Sequence, residues 1–151
     1  MKVIVRPRSV FESIKGTKIE SYILNNFKII SINTPVYAPK GIEKELPPFS
    51  DINHKNLLVL YFHDYYKPLE DVILMNDEDA LKIKNFIKDA DKRIIVHCTA
   101  GISRSGAVGT FLSEYFNGKN SEEHSIFLKE HNFLRPNDWV YEKLKKAFTV
   151  K

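Results

Sequence analysis

An apolar run, Arg93-Ile94-Ile95-Val96-His97, leads straight into the only cysteine of the chain, Cys98. Five residues follow, Gly101 among them, before Arg104, Ser105, Gly106 and a stretch rich in small residues. A β-branched run of this kind predicts a strand, and the small-residue stretch predicts a helix. The loop between them must therefore turn tightly around Cys98. A cysteine so placed lies among free backbone N–H groups at a helix N-terminus, where partial positive charge favours anions. Both effects favour thiolate over thiol and move the Cys98 pKa below its free value of roughly 8.5. The amides of Thr99, Ala100, Gly101, Ile102 and Ser103 can hold the oxygens of a phosphoryl group. The planar fork of Arg104 can take two of them at once. Gly101 lets the backbone turn closely round the anion. The segment thus pairs a nucleophile with a cradle for the charge that develops on attack. Ser105 is placed to hydrogen-bond the sulfur when it leaves. His97 is placed to orient the loop from behind, a role that overlaps with that of a satisfied core histidine.

The rest of the chain supplies the frame. Strands are expected at Lys2–Val5, Lys28–Ile32, Leu57–Phe62 and Arg93–His97, short continuous apolar runs suited to strands covered on both faces. Helices are expected at Ser9–Lys15, Asp77–Asp89, from Arg104 through Phe116 with a stop at Asn117-Gly118, at Ser121–His131 and at Pro136–Phe148. Strands alternating with helices, which then dominate, define an α/β fold with one central, mostly parallel sheet flanked by helices. Residues 1–151 are read as a single domain of this kind. The stretch Asn33–Asn56 is irregular, with Pro35, Pro39, Pro47 and Pro48; a long ordered loop of this sort is either functional or a plain surface excursion.

Composition narrows the possible partners. Hydrophobic residues make up 43% of the 151 and charged residues 28%, an ordinary globular mixture. The net charge of +4 suits an anionic ligand, but no dense Lys/Arg cluster points to nucleic acid. No secretory h-region and no membrane-length apolar run is visible. One cysteine allows neither an internal disulfide nor a cysteine-based zinc site, so a reducing, cytoplasmic setting is expected. His54, His63, His124 and His131 show no metal-ligand spacing, and no metal or other cofactor is expected.

The segment His97-Cys98-Thr99-Ala100-Gly101-Ile102-Ser103-Arg104-Ser105-Gly106 resembles the signature loop of the protein tyrosine phosphatase superfamily, in the form nearest its dual-specificity branch. That resemblance implies a protein phosphatase acting on phosphotyrosine through a cysteinyl-phosphate on Cys98. It leaves open whether phosphoserine and phosphothreonine are also taken. It implies a phosphate site made by Thr99, Ala100, Gly101, Ile102, Ser103 and Arg104. The family also uses an aspartic acid on a mobile loop after a strand to protonate the leaving group. Asp64, in His63-Asp64-Tyr65-Tyr66, fits that position and Asp71 is its rival; Asp77 and Asp79 are better suited to a helix start. The resemblance runs from about Asp64 to the C-terminus. Arg135-Pro136-Asn137 is similar to the start of the family's closing helix, with Asn137 a structural residue.

The clamp loop of the large tyrosine-specific phosphatases is not recognisable, and the lysines that inositol-lipid phosphatases place between Cys and Arg are missing. Tyr37, Tyr65 and Tyr66 are candidates for a cleft wall, Phe62 and Phe86 for the core, and Ile102 for an inward or ring-wall contact. Two alternatives remain: a phosphoprotein-binding module without turnover, and an RNA 5′-phosphatase using the same loop. The expected partner is a phosphorylated protein, with no membrane and no nucleic acid.

Overall fold

The computed structural model describes residues 1–91 and 93–149. Four strands form one sheet, β1 (Lys2–Pro7), β2 (Lys28–Asn33), β3 (Leu57–Tyr61) and β4 (Arg93–Cys98), in the order β1-β4-β2-β3 with every pair parallel. Around it lie α1 (Arg8–Ile14), α2 (Lys18–Asn26), α3 (Asp77–Phe86), α4 (Arg104–Asn117), α5 (Glu122–Glu130) and α6 (Asp138–Thr149). The expected α/β class and the parallel sheet are what the structure has.

The strand sequences explain their places. In the two inner strands every residue after the first is buried, as continuous apolar runs covered on both faces require. The edge strands β1 and β3 are less completely covered. Successive side chains point to opposite faces, so neighbours divide between two cores. Ile30 and Ile94 join Val3, Val5 and Leu60 in a core closed by Ile83 of α3, Leu112 of α4, Phe127 of α5 and Leu144 of α6. Ile29 and Ile95 join a smaller core under Phe11 of α1, Leu24 of α2 and Phe49. Phe62 is fully buried, as expected, whereas Phe86 is only partly buried, with the Lys28 ammonium 4.6 Å over its ring.

Helix α2 is a finding the sequence pattern does not predict. Its Ile19 and Tyr22 are exposed while Glu20 is buried, so the usual apolar stripe is blurred. Thr17 caps it by accepting the Glu20 amide. The Glu20 carboxylate then accepts the Gly16 amide, the Ser50 amide and the Ser50 hydroxyl. This anchors the far end of the proline-rich stretch, where Pro47, Pro48 and Phe49 are buried. Helix α3 stops at Phe86, short of Asp89, and opens on an Asn76/Asp79 capping box that explains its acidic start. Helix α6 begins at Asp138 rather than Pro136, because Asn137 acts as its cap, its Oδ1 accepting the Val140 amide at 3.1 Å.

Helix α4 carries the residues that follow the Cys98 loop, and its depth is set by Gly109. A Cβ there would stand 2.3 Å from Cγ2 of Val5, a fully buried side chain of β1. Valine at this position would overpack the seam between α4 and the sheet. Gly109→Val is expected to lose about 2–3 kcal/mol in urea unfolding, the upper part of the range for overpacked cores, although valine is the better helix former.

Candidate active site

In a parallel sheet the C-terminal ends of all strands lie along one edge, where ligands of open α/β sheets bind. Here Arg8 follows β1, Asn33 ends β2 with Thr34 after it, Phe62-His63-Asp64 follow β3, and Cys98 ends β4 with Thr99 after it. These residues meet around Cys98.

The loop from Cys98 to Arg104 is built by close approach. Gly101 has φ +71, and a Cβ on it would lie 2.5 Å from the backbone nitrogen of Pro7. Its glycine is thus required by the end of β1 as well as by the turn itself. The Arg8 amide reaches the Thr99 carbonyl at 3.2 Å and pins the loop from the same side. Among the described residues, the amides of Ala100, Ile102 and Ser103 find no backbone acceptor. Ser103 does not cap α4 with its side chain, so the helix N-terminus stays open toward the loop. Free amides around a helix start make an anion site.

The Cys98 sulfur is buried and lies 3.1 Å from the Ser105 hydroxyl, and it accepts the Gly101 amide at 3.3 Å. Burial pushes the thiol up. The Ser105 hydroxyl and amide, the Arg104 guanidinium and the Gly101 amide outweigh it and hold Cys98 below its ordinary value. Sequence reasoning expects the same direction.

Arg104 is buried, and its bonds are one-sided. Nη1 donates to the Phe62 carbonyl at 2.8 Å and to the Thr34 hydroxyl at 3.0 Å, and Nη2 donates to the Thr99 hydroxyl at 2.9 Å. Nε is buried with no partner among the described residues. In a guanidinium, Nε–H and one N–H of Nη2 share an edge, so this edge keeps a donor for a bidentate oxyanion while Nη1 anchors the group.

Behind the loop runs a chain of buried bonds. His97 Nδ1 donates to the Cys98 carbonyl at 3.2 Å, which leaves Nε2 to accept the Ser31 hydroxyl at 2.6 Å. Asn33 Nδ2 donates to Ser31 Oγ, and Asn33 Oδ1 accepts from Arg8 Nη1, both at 3.1 Å. Arg8 also donates to the Leu46 carbonyl. His97 thus orients the loop from behind, packed under Phe11 and Phe49. Burial lowers its pKa to about 4, so the ring is neutral.

Asp64 meets the loop. Its Oδ1 accepts the Ser103 hydroxyl and Asn137 Nδ2, each at 2.8 Å, and Asn137 Nδ2 also holds the Tyr65 carbonyl. Asp71 sits farther along in left-handed backbone, φ 65, and makes no bond to the Cys98 loop among the described residues. Asn137, expected as a structural residue, therefore also touches the candidate acid. Ile102 does not pack inward; it is 37% exposed. Tyr37 packs on His63 with ring centroids 5.3 Å apart, and Tyr65 and Tyr66 pair at 4.8 Å with Tyr66 61% exposed.

The sequence reading passes over Thr34 and Glu45. Glu45 Oε1 accepts the Thr34 amide at 2.6 Å, and the carboxylate accepts the Thr99 hydroxyl at 2.8 and 3.0 Å. Burial pushes Glu45 up, but the Thr34 amide, the Thr99 and Thr34 hydroxyls and Arg8 hold it below its ordinary value. Because Thr99 gives its proton to Glu45, its lone pairs face Arg104. The proline-rich stretch thus reaches the rim of the site. A usable signal was present: polar residues one position beyond a predicted parallel strand fall on the functional edge. Among the described residues, no group of three or more His, Cys, Asp or Glu gathers as a metal site.

Compared as a sequence, the chain matches no family model and no curated protein. Its fold is similar to that of the human tyrosine phosphatase-like serine/threonine/tyrosine-interacting protein, with TM-score 0.57 and 20% identity over 98% of this chain and 91% of that one. Similar too are the PTP-2 phosphatase of Cydia pomonella, at TM-score 0.55 and 16% identity over 97% and 85%, and human DUSP28, at 0.54 and 13% over 96% and 90%. The fold is that of the protein tyrosine and dual-specificity phosphatases, as the signature loop leads one to expect.

Two outcomes follow from this geometry. Ser105→Ala removes a donor to sulfur, so the pH midpoint of Cys98 alkylation by iodoacetate is expected to move up; an unchanged midpoint would show that Ser105 does not stabilise the thiolate. His97 has its folded pKa, about 4, below the unfolded value of 6.5. Its unfolded form binds the extra proton in that window, so stability is full above pH 6.5 and declines toward pH 4. The loss amounts to about 3 kcal/mol from this group. His63 and His131, both also held low mainly by burial, act with the same sign. In urea titrations across pH, His97→Asn should therefore show a shallower slope than wild type.

Proposed function

We propose that the protein is a cysteine-dependent phosphatase that hydrolyses phosphotyrosine on proteins through a cysteinyl-phosphate on Cys98. One observation carries the reading. A buried sulfur receives the Gly101 amide and lies at hydrogen-bond distance from the Ser105 hydroxyl, within a loop closed by an arginine whose Nε has no partner among the described residues.

In the first step the thiolate attacks phosphorus, the S–P bond forms, and the bond to the tyrosine oxygen breaks. Asp64 gives that oxygen its proton, since a phenolate leaves poorly without one. The loop amides and Arg104 take up the charge on the equatorial oxygens. In the second step water attacks phosphorus, Asp64 receives the water's proton, and the S–P bond breaks with Ser105 donating to the departing sulfur. Inorganic phosphate and the thiolate remain.

The surroundings support a protein substrate over a polyanion. No lysine stands between Cys98 and Arg104. At the rim the Glu45 carboxylate faces the Arg8 guanidinium 3.8 Å away, so that arginine is already paired rather than free for the further phosphates of an inositol polyphosphate or an RNA strand.

Hydrolysis of a phosphotyrosine peptide and a phosphothreonine peptide, with no metal added, tests the reading. Wild type should turn over the phosphotyrosine peptide, Cys98→Ser should show no turnover, and Asp64→Asn should be slowed about 100-fold, the lower part of the general-acid range. The ratio between peptides gives tyrosine-only or dual specificity. A wild type that binds the phosphotyrosine peptide without turnover would replace this reading by a phosphoprotein-binding module.

A further inference from the structure

The segment after β3 is closed at its base by one residue. The His63 amide donates to the Ile73 carbonyl at 2.6 Å, and the Ile73 amide donates back, to the ring Nδ1 of His63, at 2.9 Å. Between these two bonds lie residues 64–72, with Asp64 at one end. At that end Ser103 and Asn137 hold the Asp64 carboxylate, and Asn137 also holds the Tyr65 carbonyl. Beyond Tyr65 the loop is lightly tied: Val72 bonds to Leu69, and Tyr66, Leu69 and Ile73 are exposed. Such a segment moves easily unless its base is fixed.

The His63 ring is 9% exposed and packs under Tyr37. Accepting through Nδ1 puts its proton on Nε2. That atom is buried on the side of the Pro35 carbonyl without a bond of ordinary geometry. Burial, with the Arg104 charge nearby, favours the neutral ring, which is the form able to accept. The residue before it, Phe62, gives its carbonyl to Arg104 Nη1, and the residue after it is the candidate acid. One anchored ring therefore sits between the residue that holds the arginine and the residue that supplies the proton. A histidine is not needed there for packing alone, and its buried, incompletely bonded ring carries a polar cost that an apolar residue would avoid.

We propose that His63 is a positioning residue for proton transfer. By accepting the Ile73 amide it locks the base of the loop, so that the Asp64 carboxyl stays in reach of its Ser103 and Asn137 bonds at the Cys98 loop. The inference rests on the phosphatase reading, with Asp64 as the acid. It concerns how the proton reaches the leaving group, not how phosphate is held, because the anion cradle is built by the amides after Cys98 and by Arg104.

Two variants separate positioning from folding. His63→Phe keeps a ring under Tyr37 but has no acceptor. His63→Asn brings an oxygen close to the place of Nδ1. The reaction is followed as kcat/KM, which reports the first chemical step, on aryl phosphates from p-nitrophenyl phosphate to phenyl phosphate. His63→Phe should lose about tenfold on phenyl phosphate, a fraction of the full effect of a general acid, and little on p-nitrophenyl phosphate. Inhibition by inorganic phosphate should not change, and Ile73 amide exchange should quicken. His63→Asn should recover most of the loss on phenyl phosphate. Added to Asp64→Asn, His63→Phe should cost nothing further, as expected of groups acting through one another. Equal losses on every leaving group, a loss additive with Asp64→Asn, or unchanged Ile73 exchange would overturn the proposal while leaving the phosphatase reading intact. A wild type that turns over none of these substrates would overturn both.

Discussion

The buried 2.6 Å hydrogen bond between the Ser31 hydroxyl and His97 Nε2 joins the inner strand β2 to the inner strand β4 on the residue just before Cys98. It fixes the tautomer that lets Nδ1 donate to the Cys98 carbonyl, and so sets the direction in which the chain leaves the sheet. Were this ring free to turn, the start of the loop, and with it the distances from sulfur to Ser105 and Gly101, would have no fixed reference. The bond costs little only because the ring is neutral; burial lowers its pKa to about 4. The chain through Asn33 to Arg8 extends the same constraint to the edge strand β1, whose end presses against Gly101.

Charge is arranged around this frame so that each buried group has an opposite partner or a place for one. Arg104 spends Nη1 on neutral oxygens of Phe62 and Thr34, and its Nε–Nη2 edge is the one that can face an anion. Glu45 does not pair with Arg104 directly but through the Thr99 hydroxyl, and it is balanced by Arg8, whose Nε is 3.8 Å away. A direct Glu45–Arg104 pair would occupy the fork; an intervening hydroxyl orients it and leaves the strong interaction for a ligand. The proline-rich stretch is the means by which this carboxylate arrives. It is anchored by buried Pro47, Pro48 and Phe49 and by the Glu20–Ser50 bonds.

Likeness to solved phosphatase-fold structures at 13–20% identity fits this division of labour. A parallel sheet between helices can be filled by many apolar sets, since cores tolerate substitution that conserves volume and pattern. A loop that must bring amides, a thiol and a guanidinium to one point tolerates far less.

The features legible along the chain are local and periodic. The four strands, five of the six helices and the Cys98-to-Ser105 constellation follow from apolar runs, caps and the spacing of a single loop. The amphipathic signal of α2 was hidden because its buried face includes Glu20, whose burial makes sense only once Ser50 is beside it. Which distant residues complete the site is settled only by the way the chain folds: Thr34 on the arginine and Glu45 on Thr99, Ser31, Asn33 and Arg8 behind His97, and Asn137 and His63 around Asp64. Each is an ordinary polar residue along the chain. They acquire their partners because parallel pairing puts every strand's C-terminal end on one edge, and no local pattern records which side chains will meet there.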